Sequence, residues 1–152
     1  MLRPDFWINF LWKRTLGTTV LNATSSSANL RAYAFSGPPA SKFAPHECVE
    51  GRLQLLLINL DNSSQVTAQL PAVSGSTSYS QWALQPGESQ QHVPKPFSKI
   101  AKLNSVGLHV DVDVAVLDPS KYLEDVPVAP VKQPISTNVI LPPLSVSFIC
   151  FD

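Results

Sequence analysis

The sequence predicts a mainly β fold: an antiparallel β-sandwich of about eight strands preceded by one N-terminal helix. Three features carry this reading. The C-terminal stretch Leu141 to Phe151, LPPLSVSFICF, alternates Leu144, Val146, Phe148 and Cys150 with Ser145, Ser147, Ile149 and Phe151. Its β-branched and aromatic residues suit a strand, and the proline pair marks its entry, since proline starts a strand but does not sit inside one. Turn signals recur through the chain at roughly 8–12-residue spacing, as in sandwiches. Fourteen prolines in 152 residues are about twice the ordinary share and favour short strands over helices. A C-terminal strand with an apolar inner face must pair with something made earlier, so the domain is expected to close on it.

Taken in order, residues 4 to 16 (PDFWINFLWKRTL) are the one good helix candidate. Pro4 suits the first turn, Asp5 the positive end of the dipole, Lys13 and Arg14 the last turn, and Gly17 a stop. Phe6, Trp7, Phe10 and Leu11 form an apolar face, which Ile8 and Trp12 widen almost all round. Thr18 to Leu21 and Leu30 to Phe35 read as strands around a Ser-rich turn. After a Pro/Gly loop (36–51), Arg52 to Leu60 is nearly continuously apolar, the pattern of a central strand buried on both faces. Asp61-Asn62-Ser63-Ser64 reads as a turn, and Gln65 to Leu70 as the returning arm of a hairpin. Ser78 to Leu84, Ile100 to Leu103 and Val106 to Leu117 are further strands. The last puts Leu108, Val110, Val112, Val114 and Val116 inward. Residues 118 to 140 read as a Pro-rich return with little periodicity.

Length and charge narrow the function. The chain is long enough for one domain with a core. Charged residues are 14% and the formal net charge is zero, which disfavours bulk binding to nucleic acid or acidic membranes. No run reaches the ~18 apolar residues of a membrane span. Asp5, Asn9, Lys13 and Arg14 interrupt what an export signal would need. Cys48 and Cys150 are too few for a disulfide scaffold; they are either a pair or two buried free thiols.

Little in the sequence carries chemistry. Glu47 and Glu50 precede the central strand, but nothing around them shapes the cleft that a glycosidase carboxylate pair requires. His109, Asp111 and Asp113 share one strand face, yet positions two apart lie ~6.6–6.8 Å from each other, so one ion would reach two of them at best. His46 beside Cys48 falls short of a zinc set. No catalytic, cofactor or metal residues are therefore assigned. Lys95, Lys99 and Lys102 form a loose basic cluster able to touch an acidic polysaccharide. Tyr79 and Trp82 suit sugar stacking but more often belong to a core. Two sequons, Asn22-Ala23-Thr24 and Asn62-Ser63-Ser64, both fall in turns, where N-glycans are attached in secreted proteins.

An ordered set of short motifs resembles the heparanase-like glycosidases, glycoside hydrolase family 79. Pro4-Asp5-Phe6-Trp7, Leu11-Trp12-Lys13-Arg14 and Leu16-Gly17-Thr18 with Val20 and Leu21 are similar to the segment that leaves that family's barrel. Leu30-Arg31-Ala32-Tyr33, Leu57-Ile58-Asn59-Leu60, and Leu141-Pro142-Pro143 with Ser145, Ser147 and Phe148 resemble its later strands. Each motif alone is weak; together they run along essentially the whole chain. There are departures. Ser36 stands where the heparanase pattern has cysteine, and the chain ends at Asp152 ahead of that pattern's terminal cysteine, so its disulfide is not carried over. The Val106 to Leu117 run and the Pro-rich return also fit poorly.

The resemblance implies that residues 1–17 are the last helix of a (β/α)8 barrel and residues 18–152 a C-terminal β-sandwich. A barrel of ~250 residues does not fit in this chain, so no activity is expected from it alone. The full-length relatives would be retaining enzymes cutting β-glucuronide bonds in acidic polysaccharides or proteoglycans. The implied partner is the catalytic barrel, met by Phe6, Trp7, Phe10 and Leu11. The implied setting is extracellular, cell-surface or lysosomal. The family's sandwich also resembles one completed by a strand from the enzyme's amino-terminal region. A free-standing carbohydrate-binding or adhesion-like module is the alternative.

Overall fold

The computed structural model describes residues 4–39, 48–87, 101–107, 129–135 and 138–152. It is mainly β, with antiparallel sheets and one N-terminal helix. Helix α1, Pro4–Thr15, carries Asp5 in its first turn and Lys13 and Arg14 in its last, each charge matched to the dipole end it occupies. Leu16 closes the last turn through its N–H to the Trp12 carbonyl (3.1 Å). Gly17 ends the helix for a reason other than the expected left-handed cap. It starts a strand, and a Cβ there would lie 2.2 Å from the Ser36 carbonyl oxygen. The glycine is needed because two backbones meet.

The strands are β1 (Gly17–Leu21), β2 (Leu30–Pro39), β3 (Gln54–Asn59), β4 (Val66–Gln69), β5 (Ser78–Pro86), β6 (Ala101–Leu103), β7 (Val106–Gly107), β8 (Val131–Pro134), β9 (Asn138–Leu141) and β10 (Val146–Phe151). The main sheet runs β1-β2-β3-β10-β5-β6-β7, with β8 also paired to β5. The outer edge of β5 is divided: Ser78 to Gln81 pair with β8, and Leu84 to Pro86 with β6. Strands β4 and β9 form a separate two-stranded sheet.

The chain closes on its last strand, which is central. β10 pairs with β3 on one side and β5 on the other, placing Phe148 between Leu56 and Trp82. The faces of β10 depart from expectation. Val146, Phe148 and Cys150 face α1, as an apolar face should, but Ile149 and Phe151 on the other side are buried too, beneath the small sheet. The serines between them are tolerated because they are bonded: Ser145 Oγ donates to the Pro142 carbonyl (2.7 Å), and Gln81 Nε2 donates to Ser147 Oγ (3.3 Å). Leu144 sits outside the strand, at φ 52°. β3 is buried along nearly its whole length, as a continuous apolar run requires.

The expected hairpin between β3 and Gln65–Leu70 does not form. β4 instead crosses onto the far face and pairs with β9. Two polar side chains build this exit. Asp61 Oδ1 accepts from the N–H groups of Ser63 and Ser64, both at 2.9 Å. Asn59, almost wholly buried, donates through Nδ2 to the carbonyls of Ser64, Leu141 and Pro142 (2.9–3.1 Å) and accepts from the Asp61 N–H through Oδ1. One side chain thus ties β3 to its own turn and to the β9–β10 connection.

Two cores result. The α1 side gathers Trp7, Leu11, Phe35, Leu56, Trp82 and Phe148. The β4–β9 side gathers Leu30, Leu55, Leu57, Leu141, Ile149 and Phe151. Cys48 and Cys150 form a disulfide within the α1-side core, Cα atoms 5.5 Å apart. The run expected over Val106 to Leu117 is described only at β7; the rest lies outside the described residues. The Pro-rich return holds two strands that its sequence does not announce. The short, largely exposed β8 has no buried face to impose an apolar period.

Candidate functional site

The helix residues expected to meet a large neighbour divide into two groups. Trp7 and Leu11 are each 1% exposed, inserted into the chain's own core. Phe6 and Phe10 are half-buried at its border. Their rings stack at 6.1 Å, and both meet Trp7 edge-on, at 5.3 and 6.0 Å. The Arg14 guanidinium lies 4.9 Å over the Phe10 ring. Trp12 is 38% exposed and rests edge-on against Phe35. The open aromatic surface of α1 is therefore Phe6, Phe10 and Trp12; Trp7 and Leu11 are consumed inside.

Among the described residues, the opposite side of the sheet is covered by two strands, β4 and β9. Where they stop short, a groove of about 900 Å³ opens over β2 and β3. Its floor is Leu30, Ala32, Ala34, Leu55 and Leu57; one wall is β4; its mouth is the loop of residues 22–27. One edge of β4 pairs with β9, and its other edge is unpaired among the described residues. A smaller apolar pocket of about 220 Å³ lies on the α1 side between Ile8, Ile58, Leu60, Leu84 and Val146.

Most of the candidate chemical groups lie outside the described residues. Glu50 is exposed in the turn before β3, and Glu47 lies outside the described residues. So do His46, His109, Asp111, Asp113, Lys95 and Lys99. Lys102 is half-buried on β6. Among the described residues, no three of His, Cys, Asp and Glu gather as a metal site. Tyr79 and Trp82 are both buried, on opposite faces of β5, so neither offers a platform for a sugar. Asp61 has its carboxyl held below the ordinary range by the Ser63 and Ser64 N–H groups, with the Ser63 hydroxyl and the Asn29 amide adding to them. These bonds shape a turn rather than a reacting pair.

Asn22 and Asn62 are both exposed, Asn22 in the loop after β1 and Asn62 in the turn after β3. The bond from Asn29 Nδ2 to Asp61 Oδ2 (3.0 Å) joins that loop to that turn, so both sequons stand at one end of the sheet. Sequence reasoning missed the groove. Its signal was Ala32 and Ala34, small residues facing a strand pair too narrow to fill the space above them.

The described residues form a mainly β fold whose large sheet carries a helix on one side and a pair of strands on the other. No family model matches the chain. It is similar to heparanase of Gallus gallus, 36% identical over 87 residues, a segment that is 55% of this chain and 16% of heparanase. That similarity supports a heparanase-like relationship for a stretch much shorter than the relative itself. No described helix is long and apolar enough to cross a membrane.

Proposed function

We propose that this chain is the non-catalytic β-rich portion of a heparanase-like glycoside hydrolase of family 79, packing on a catalytic (β/α)8 barrel and stabilising it. The observation that carries the reading is the under-covered main sheet. Its α1 side leaves Phe6, Phe10 and Trp12 at the border, and its other side leaves a groove with an apolar floor beside a strand edge that is unpaired among the described residues. Exposed strand edges and contiguous apolar surface are what a domain hides against a partner. The family resemblance implies one further strand, and the free edge of β4 among the described residues is where it would pair. On this reading the parent enzyme supplies both catalytic carboxylates, and its substrates are β-glucuronide-containing acidic polysaccharides or proteoglycans.

The test is to co-express the chain with the barrel of a heparanase-like enzyme that lacks its own C-terminal portion. The expected result is a stable one-to-one complex with β-glucuronidase turnover, and no turnover from the chain alone. Turnover by the chain alone that Glu50→Gln abolishes, or failure to associate with the barrel, counts against the proposal. A second reading has one observation in its favour: Trp7 and Leu11 are buried within this chain, so α1 is part of the unit and need not belong to a barrel. A free-standing carbohydrate-binding or adhesion-like module would then be expected. Titration with acidic polysaccharides separates the two, since a module binds sugar by itself and a barrel-supporting domain does not.

A further inference from the structure

We propose that Asn22 is an N-glycosylation site whose glycan shields the open end of the groove and the outer edge of β1. The proposal uses the heparanase-like reading for one thing only, the chain's passage through the secretory pathway.

The local geometry fits an acceptor. Asn22 and Thr24 are both exposed, while Ala23 between them turns inward against the β4–β9-side core. The acceptor amide and the sequon hydroxyl therefore both face away from the core. The Asn22 amide has no hydrogen-bond partner among the described residues, so its attachment breaks nothing in the fold. Residues 22–29 hold no regular secondary structure; Ser25 and Ser27 bond to each other, Ser27 Oγ accepts from the Asn29 N–H, and the Ser27 carbonyl accepts from the Leu30 N–H. The transfer itself is ordinary. The Asn22 Nδ2 forms a bond to the anomeric carbon of a lipid-diphosphate-linked oligosaccharide. The bond from that carbon to the phosphate oxygen breaks, the diphosphate leaves with the electron pair, and the amide proton passes to a base of the transferase.

The surroundings give the glycan something to do. Among the described residues β1 pairs only with β2, and next to the sequon it presents Val20 at 69% and Leu21 at 39% exposure. An edge strand that is apolar and unpaired is a template for association with another chain. Leu21, Asn22 and Thr24 also line the groove mouth. A hydrated oligosaccharide rooted there covers both liabilities at once. Asn62 differs. Its turn is occupied by the Asp61 carboxylate bonding Ser63 and Ser64, and it follows no comparable apolar edge, so it serves as an internal reference.

The experiment is secretion of the full chain from eukaryotic cells behind a heterologous leader, followed by enzymatic release of N-glycans and peptide mass spectrometry. An occupied asparagine is converted to aspartate on release. The expected result is conversion at position 22, loss of one glycan's mobility shift in Asn22→Gln and in Thr24→Val, retention of it in Thr24→Ser, and a rise in apolar-dye fluorescence when the glycan is absent. Conversion at Asn62 without conversion at Asn22 overturns the site and leaves the heparanase-like reading intact. Conversion at neither also overturns the site and, because the leader is supplied, leaves the heparanase-like reading untouched. Equal dye fluorescence with and without the Asn22 glycan overturns the shielding role.

Discussion

The two sides of the main sheet are built differently. Toward α1, large side chains interlock: Phe148 lies in register between Leu56 and Trp82, with Trp7 and Leu11 above and the Cys48–Cys150 disulfide alongside. Toward β4 and β9, Tyr79, Ile149 and Phe151 pack with leucines under the strand pair, but over β2 and β3 the layer is of leucines and alanines and, among the described residues, a groove opens above it. The strands that matter most, β3 and β10, are buried on both sides; β1 is buried on almost none. Stability should therefore be concentrated at the centre of the sheet, and the end near β1 and β4 should depend on something added.

The largest expected effect is from the disulfide, which closes a sequence separation of 102 residues. In the chain-entropy account, replacing both cysteines by alanine should cost up to ~4–5 kcal/mol, read from denaturant unfolding of the oxidised wild type against the variant. A cost near zero would mean that the crosslink adds nothing to the α1-side core. Next come the core aromatics. Trp82→Ala or Phe148→Ala should cost ~3–5 kcal/mol, whereas Leu30→Ala, beside the groove, should fall at or below the low end of ~2–5 kcal/mol. The cavity left by Leu30→Ala joins space that is already open. Equal costs would erase the contrast between the two sides.

Asn59→Ala should cost ~1–3 kcal/mol, because it strips the polar partner from the Leu141 and Pro142 carbonyls and from the Asp61 N–H. The same measurement on Asn62→Ala, exposed in the neighbouring turn, should show almost nothing. The smallest effect is at Asp61, whose carboxyl is held below its ordinary value of 3.8 by the turn's N–H donors. A carboxylate with a lowered folded-state pKa adds stability above its unfolded value, and that stability is lost as pH falls through the folded one. The difference in melting temperature between wild type and Asp61→Asn should stay level from pH 7 to about 5 and close below about pH 4. A difference that grows on acidification would reverse the sign.

The central strands were legible because their causes are local. An unbroken apolar run such as Leu55-Leu56-Leu57 requires burial on both faces, and a proline pair followed by alternation requires a strand entry. The small sheet was not legible. Gln65 to Leu70 alternates as a hairpin arm would, and nothing in its own residues says that it pairs with Asn138–Leu141 instead. The bonds that hold this arrangement include those from Asn59 to the Leu141 and Pro142 carbonyls, across long sequence separations. The helix was read correctly as an element but not in its facing. Its residues are apolar nearly all round, so periodicity alone could not assign Trp7 and Leu11 inward and Phe6, Phe10 and Trp12 to the border. The two sequons were plain in the sequence; that one of them stands beside an apolar edge and lines a groove was not.

Native-state hydrogen exchange on the isolated chain tests the unequal coverage most directly. Amides of β3 and β10, paired on both sides and buried on both faces, should exchange only through global unfolding. Those of β4 and β1 should exchange through smaller local openings, with protection lower by several orders of magnitude. Protection in β4 equal to that in β10 would mean that the groove side is already complete, and the case for a missing neighbour would fall with it.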